Sequence, residues 1–295
     1  MIVASGPRRF EILHYVGRAF WLLLGWDVVI AALYGPLGQR WVAVDNLPMP
    51  LIGSALAIVI SLRNNAAYAR WWEARQLWGG VVNNSRTLAR QTRLYLPGHP
   101  AQAAITDLAA AYAHALRCHL RRQEPWEAIA RLVPAPTLAW LRTQSNVPDA
   151  LLAAIADQLA TLLRSHALDS IQTAALADTL AQLGNMQGGA ERIKNTPMPR
   201  QYNIFPRLFA QVFCVLLPLA MVPELGLATP LGSTVVGFIF LALDRAGRDL
   251  EDPFENTVYD VPLTSISRTV EINLNSLLGG RTGPEPVVPV DGVLW

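Results

Sequence analysis

The sequence predicts an all-α protein that lies partly in a membrane. Its 295 residues are 52% hydrophobic and 16% charged, and the mean hydropathy is +0.26. This balance is too apolar for an ordinary soluble enzyme and too polar for a chain that lies wholly in a bilayer. The chain has four apolar segments and a long middle region rich in Ala, Leu and Arg, which shows helical periodicity and no useful length of strand-like alternation.

Each apolar segment predicts a membrane helix. The segments are 19–34, 51–62, 208–222 and 231–243. Basic residues precede the first and third segments and follow the second and fourth; they are Arg8, Arg9, Arg18, Arg63, Arg70, Arg75, Arg192, Lys194, Arg200, Arg207, Arg245 and Arg248. Because basic residues favour the cytoplasmic side, we expect both termini and the middle region there. The N-terminus does not resemble a cleaved signal peptide, so the first segment is expected to be a retained anchor.

The rest of the chain is expected to lie in water. Residues 63–207 show helical periodicity interrupted by prolines, which indicates a cytosolic helical bundle. Residues 244–278 are predicted to form a cytosolic C-terminal helical region. Residues 279–295 are rich in Pro and Gly and are predicted to form an extended tail. The predicted order is therefore an N-terminal segment with two membrane helices (1–62), the bundle, two more membrane helices (208–243), the helical region and the tail.

Residues 50–73, PLIGSALAIVISLRNNAAYARWWE, predict one helix that leaves the membrane and continues into water. Two stripes run along it at a spacing of four residues. Gly53, Ala57 and Ser61 form a small stripe, which suits close helix packing. Ser54, Ile58 and Leu62 form a larger and mostly branched stripe, which must face lipid, a core or a narrow pore. The pattern alone favours packing in lipid or core over a pore.

The same helix carries a family resemblance. Residues 55–78, with RNNAAYARWWEARQLWG at their centre, resemble the signature of the bestrophin family of ion channels in its bacterial form. Later stretches agree in the same order: GGAERIKNTPMP from Gly188, paired apolar segments within 205–243, DLEDPFENTVYDVPL from Asp249, and EINL from Glu271. The resemblance covers most of the chain, from about Arg8 to Leu278.

The resemblance implies a homopentamer with one axial pore, lined by the second apolar helix of every subunit. It places Ser54, Ile58 and Leu62 at a hydrophobic neck, where rings of apolar side chains wet poorly. The family usually has a larger apolar residue where this chain has Ser54, so we expect a wider and wetter outer ring. Asn64 and Asn65 would line the pore below the neck.

The resemblance also implies a second constriction near the cytosolic exit. Counting back from Pro199 and Tyr202 assigns it to Ile171, for which a residue buried in the bundle is an equally good interpretation. The channel would conduct monovalent ions, with cations such as sodium favoured and chloride as the alternative, in a bacterial inner (plasma) membrane. Its tail would lie against a neighbouring subunit.

Other chemistry-bearing residues have simpler interpretations. Asp249, Glu251, Asp252 and Glu255 match a region where animal members of the family bind calcium. Leu250 and Pro253 interrupt the run, so a solvated helix end that stops at Pro253 is favoured over a cage of oxygen ligands. His114, Cys118 and His119 share one predicted helix without a third or fourth ligand, and packing is favoured over metal binding. Asp27 is costly in lipid and should face a partner or water.

Several classes of function find no support in the sequence. The net charge of +2 does not indicate a nucleic-acid-binding protein. No sequence motif for a cofactor, a metal or a catalytic nucleophile is present. Cys118 and Cys214 are not expected to form a disulfide. Two rivals to a channel remain: a membrane-anchored scaffold or sensor whose bundle binds a partner, and a membrane enzyme or carrier that uses Asp27 or the histidines.

Overall fold

The computed structural model describes residues 1–3, 15–278 and 283–295. Within these ranges the chain is helical, and strand pairing is limited to isolated bridges of Val293 with Ile2 and with Val290. The predicted all-α class is confirmed for this part of the chain. Arg8, Arg9 and the first four residues of the predicted tail lie outside the described residues.

Ten α-helices and two short 3-10 helices form the described chain. They are α1 (Arg18–Tyr34), a 3-10 helix (Arg40–Val42), α2 (Met49–Tyr95), α3 (Pro100–Leu120), α4 (Trp126–Ile129), α5 (Ala135–Leu141), α6 (Val147–Arg164), α7 (Ser170–Asn195), α8 (Arg200–Leu225), a 3-10 helix (Gly226–Ala228), α9 (Thr229–Asp249) and α10 (Leu263–Leu277).

The helices divide into two compact units. Of the described residues, the apolar unit holds 15–70 and 197–251, and the bundle unit holds 1–3, 71–196, 252–278 and 283–295. The helix α2 contributes residues to both units, as expected for a single helix that continues past Leu62.

In the apolar unit, α9 packs against α8 and α1. The first part of α2 packs against α8 through an apolar cluster that includes Leu56, Ile60, Phe213 and Leu217. A methyl group at Gly237 would lie 2.6 Å from Leu23 Cδ2, so glycine is needed for the close approach of α9 to α1. Small residues thus bring these helices together.

Proline residues inside α8 remove backbone donors, and one of the carbonyls released in this way has a new partner. Pro223 has no N–H to donate to the carbonyl of Leu219. The backbone N–H of Val44, in the loop between α1 and α2, donates to that carbonyl at 3.1 Å. The loop is therefore held to the end of α8 by a hydrogen bond that a regular helix would not leave free.

One helical stretch of the described residues, Arg200–Asp249, is long and apolar enough to cross a membrane, with a mean hydropathy of 1.9 in its most apolar part. The helix α1 has 17 residues, the lower limit for a spanning helix. In α2 the apolar part gives way to polar residues after Leu62. The four predicted spans therefore remain a prediction.

The bundle unit has a continuous core of apolar side chains. The helix α3 lies at its centre and packs against α6 and α10, while α6 also packs against α7. Trp78 of α2 and Tyr112 of α3 are fully buried in this core. The end of the chain follows no helix, and the carbonyl of Trp295 accepts a hydrogen bond of 2.6 Å from the backbone of Ser265 in α10.

Candidate pore-lining surface and polar centres

The first part of α2 has one buried face and one exposed face. Leu56 and Ile60 are buried, whereas Ile58 and Leu62 are 62% and 61% exposed. Ser54 is also exposed, and its hydroxyl donates to the carbonyl of Leu51 at 2.9 Å. The predicted neck stripe is therefore not part of the core of its own chain. The interpretation of this stripe as core packing within one chain does not hold.

The small stripe on the same helix is only partly packed within the chain. A methyl group at Gly53 would lie 3.3 Å from the ring of Phe213, so this glycine contacts α8. Ala57 and Ser61 are exposed. Small exposed residues beside an exposed apolar stripe leave room for another helix to approach this surface.

The polar residues that follow Leu62 contact α9. Arg63 is buried; its Nη1 donates to the carbonyl of Asp244 at 2.6 Å and lies 3.3 Å from the Asp244 carboxylate. The side-chain amide of Asn64 donates to the carbonyl of Leu243 at 2.9 Å. Asn65 is exposed. Of the two predicted pore-lining asparagines, Asn64 is thus tied to α9, and Asn65 is the one whose side chain faces away from the chain.

Sequence reasoning missed the ion pair of Arg63 with Asp244. The available signal was an acidic residue at the end of the fourth apolar segment, where an unpaired carboxylate is costly. Arg248 also forms an ion pair with Asp244: its guanidinium lies 3.0 Å from the second carboxylate oxygen.

Asp27 has a partner inside its own unit. It is fully buried in α1, and the hydroxyl of Thr234 in α9 donates to its carboxylate at 2.6 Å. This residue links two helices of one chain, which agrees with the expectation that it faces a partner.

Ile171 is the second residue of α7 and is 80% exposed. The Asp169 carboxylate accepts a hydrogen bond from the backbone N–H of Gln172, and the Gln172 side-chain oxygen accepts one from the backbone N–H of Asp169. This capping box fixes the start of α7 with Ile171 at the surface of the bundle unit. The interpretation of Ile171 as a buried bundle residue is therefore wrong.

The carboxylates of the acidic residues that precede α10 form ion pairs or hydrogen bonds with neighbouring side chains. In the bundle unit, the buried amino group of Lys194 lies 3.1 Å from Asp252 and 2.6 Å from Glu255. In the apolar unit, Asn203 donates to Glu251 at 2.6 Å, and Tyr15 donates to Asp249 at 2.5 Å. Among the described residues, no group of three or more His, Cys, Asp or Glu could hold a metal ion.

The expected helix end at these carboxylates needs a correction. The helix α9 stops at Asp249, before Pro253, rather than at the proline. The missing backbone donor of Pro253 is not what ends it, because the backbone N–H of Glu251 already donates to the carbonyl of Arg248 instead of the α-helical partner, Gly247.

His114 belongs to a buried polar centre in the bundle unit. Its Nε2 lies 2.8 Å from a carboxylate oxygen of Glu271, and both terminal nitrogens of Arg131 donate to the same carboxylate. Cys118 is buried beside it, while His119 lies 3.4 Å from Glu191. The favoured packing interpretation holds for His114 and Cys118, and Glu271 is the partner that the sequence did not identify.

The protonation states of this centre follow from burial and hydrogen bonding. Burial opposes the charge on Glu271, but hydrogen bonds from His114 and Arg131 outweigh it and lower the pKa of Glu271 to about 2. Burial also lowers the pKa of His114, although Glu271 opposes this. A neutral His114 that donates from Nε2 to an ionised Glu271 is consistent with both directions.

The described residues are mainly helical, and exposed apolar side chains form a row on α2, a helix of 47 residues. These features are typical of helical membrane proteins. A family model described as "Bacterial/Fungal Bestrophin protein" matches residues 9–276. The chain belongs to the bestrophin family, in its bacterial and fungal branch.

Similar proteins cover nearly the whole chain. The voltage-dependent anion channel-forming protein YneE of Salmonella typhi is 32% identical over 262 residues, which are 89% of this chain and 85% of that protein. A protein of the same description from Mesorhizobium japonicum is 34% identical over 273 residues, 90% of this chain and 85% of that protein. The crystal structure of a bacterial bestrophin homologue from Klebsiella pneumoniae has a TM-score of 0.84 and 30% identity, and the match covers 89% of this chain and 98% of that chain.

Proposed function

We propose that this protein is a homopentameric ion channel whose axial pore is lined by α2. The observation that carries the proposal is the exposure of Ile58 and Leu62, at 62% and 61%, on a helix whose opposite face is buried. Apolar side chains of this size are seldom left so exposed in rows unless lipid, another protein surface or a pore meets them. The match of this stripe to the neck positions of the bestrophin family favours the pore over lipid. Five copies around an axis would form a hydrophobic neck, and Ser54 would form a more polar ring at its outer end.

The proposal includes four membrane spans, formed by α1, the first part of α2, α8 and α9. The bundle and both termini would lie in the cytoplasm of a bacterial cell, with the spans in the inner membrane. The placement of basic residues before α8 and after Leu62 supports this orientation. The boundaries proposed for these parts are those given by the sequence: 1–62, 63–207, 208–243, 244–278 and 279–295.

Two arguments lead to opposite charges for the permeant ion. The resemblance to bacterial bestrophins favours cations such as sodium, whereas the names of the Salmonella and Mesorhizobium relatives describe anion channels. An apolar neck does not choose a sign of charge by itself. We give the names of the relatives more weight and propose a channel for monovalent anions, chloride in the first place, with sodium as the alternative.

The proposal is tested by reconstituting the purified protein in planar bilayers under a NaCl gradient. The test variant carries Ile58→Ala together with Leu62→Ala, which widens both neck rings. A matched control carries Leu22→Ala with Val29→Ala, two exposed apolar residues of α1 at 72% and 49% exposure that would face lipid. We expect several-fold more current from the neck variant and unchanged current from the control.

Each result has a defined meaning. A reversal potential near the chloride equilibrium potential supports the anion proposal, and one near the sodium equilibrium potential replaces it with the cation alternative. Absence of current from both the wild type and the neck variant would refute the channel and favour the membrane-anchored scaffold. Cross-linking in detergent tests the assembly separately, and a largest product other than five subunits contradicts the pentamer.

A further inference from the structure

A polar cavity in the bundle unit is not used by the proposed pore. Its volume is about 460 Å³, within the range of roughly 300–1,000 Å³ that is typical of small-molecule sites. Its lining includes His114 and the charged side chains of Arg117, Glu124, Glu127, Arg131 and Arg268. Arginine is thus the most frequent charged residue of its wall.

In one part of the cavity wall, a positive charge is neutralised by an ion pair. Arg131 forms two hydrogen bonds with the buried Glu271, so this pair contributes little net charge to the cavity. His114 donates to the same carboxylate, and its ring is almost completely buried. Arg131 and His114 therefore line the cavity with their hydrogen bonds already directed to Glu271.

Arg117 and Arg268 differ from Arg131, because no carboxylate of the described residues neutralises their charge. Within the described part of the chain, neither guanidinium forms an ion pair, and the Nε atom of each is buried without a hydrogen-bond partner. Among the described residues, the Arg117 guanidinium makes one hydrogen bond, a weak one of 3.5 Å to the sulfur of Cys118. Both arginines line the same cavity as His114. Burial chiefly lowers the pKa of His114, and the charges of Arg117 and Arg268 lower it further.

Such an arrangement is costly without a ligand. Two like charges that line one cavity repel each other, and buried N–H groups without acceptors lose hydrogen bonds that water would supply. Glu124 and Glu127 also line the cavity, but both are exposed, and neither pairs with Arg117 or Arg268 in the described structure. An anionic ligand would supply the missing acceptors and the missing negative charge.

We propose that this cavity binds a small molecule through a phosphate group, held between Arg117 and Arg268. A guanidinium presents a planar fork of N–H donors that matches phosphate and carboxylate oxygens. Two forks on one cavity favour phosphate, because separate oxygens of a phosphate can face each fork, whereas the two oxygens of a carboxylate would have to be shared between both forks. The cavity is larger than a phosphate ion requires, which leaves room for an organic part of the ligand.

The proposal is tested by isothermal titration calorimetry on the full-length protein in detergent at constant ionic strength. The probes are inorganic phosphate and glycerol 3-phosphate, which separate a site for the free ion from a site for an organic phosphate. We expect saturable binding, tighter for glycerol 3-phosphate, that is weakened at least about tenfold by either Arg117→Gln or Arg268→Gln. The control Arg164→Gln removes an exposed arginine of α6, and we expect it to leave the affinity unchanged.

A second measurement separates loss of binding from loss of folding. Because Arg117 and Arg268 lack partners without a ligand, each Gln variant should melt at the same temperature as the wild type or higher in phosphate-free buffer. If Arg268→Gln does not fold, Arg268→Lys keeps the charge without the fork and should still weaken binding. Absence of saturable binding of both probes, or equal affinity in wild type and both Gln variants, would overturn the proposal, as would an equal loss in Arg164→Gln. The test needs no ion current, so its outcome is independent of the channel proposal.

Discussion

The buried carboxylate of Glu271 should be a main source of stability in the bundle unit, and Glu271→Gln tests this. Its side chain is fully buried, and its pKa falls from 4.5 to about 2 because hydrogen bonds from His114 and Arg131 outweigh the cost of burial. Each pKa unit corresponds to about 1.4 kcal/mol, so the ionised form contributes about 3 kcal/mol to folding at neutral pH. Gln keeps the shape but removes the charge. For a chain of this size, that loss should lower the melting temperature by roughly 5–10 °C.

The assay is thermal unfolding of the purified protein in detergent, with Glu73→Gln as the matched control. Glu73 also pairs with an arginine, Arg192, but both side chains are exposed, at 44% and 66%. An exposed pair contributes at most about 1 kcal/mol. A melting temperature of Glu271→Gln equal to that of Glu73→Gln would refute the reasoning.

The lowered pKa of Glu271 also predicts how the stability of the folded protein changes with pH. A carboxylate whose folded pKa is depressed stabilises the protein fully above its unfolded pKa and loses this effect as the pH falls through the folded value. The contribution of Glu271 should therefore be complete above about pH 4.5 and fade between about pH 4.5 and 2. In Glu271→Gln this part of the acid destabilisation should be absent, which a pH series of melting curves measures.

Two further substitutions test contacts of the apolar unit and the surface of the bundle unit. In Gly247→Ala the new methyl group would lie 1.9 Å from Asn64 Oδ1 and 2.8 Å from Arg63 Nη1. These side chains must then move away from their hydrogen bonds to α9, at a cost of roughly 1–3 kcal/mol. Gly25→Ala, with no atom within 4 Å of the new group, is the control for thermal unfolding, and equal stability of the two variants would contradict the contact. Ile171→Ala should change stability by less than about 0.5 kcal/mol because the side chain is 80% exposed, while raising the current in bilayers if Ile171 narrows the pore. Unchanged current with unchanged stability would remove Ile171 from the conduction path.

The sequence predicted the helical class and the continuity of α2 because both depend on local patterns. No proline interrupts the chain between Pro50 and Pro97, so the helix continues from its apolar part into its polar part without a break. The ends of α8 and α9 were harder to place, since hydropathy detects only their apolar parts. The helix α8 begins at Arg200, eight residues before the predicted segment, and α9 continues to Asp249, six residues beyond the predicted end.

The polar centres could not be predicted because their partners are far apart in the chain. Arg63 and Asp244 are separated by 181 residues, and His114 and Glu271 by 157. A single sequence shows that each side chain is costly to bury alone, but not which distant residue balances it. The exposure of Ile58 and Leu62 was equally undetermined, because an apolar stripe at helical spacing is compatible with core, lipid or pore.

The hydrogen bond between Asp27 and Thr234 has a consequence for biosynthesis. The two residues are separated by 207 positions, and a ribosome adds roughly 5–20 residues per second. Under the membrane placement that we propose, α1 would enter the bilayer roughly 10–40 seconds before its partner helix is made. During that time the carboxylate of Asp27 would have no Thr234 to bind, and a polar group in lipid is costly. The newly made first helix would then need to stay beside the insertion machinery or at the bilayer surface until α9 emerges, so the last membrane helix would decide when the first one is released.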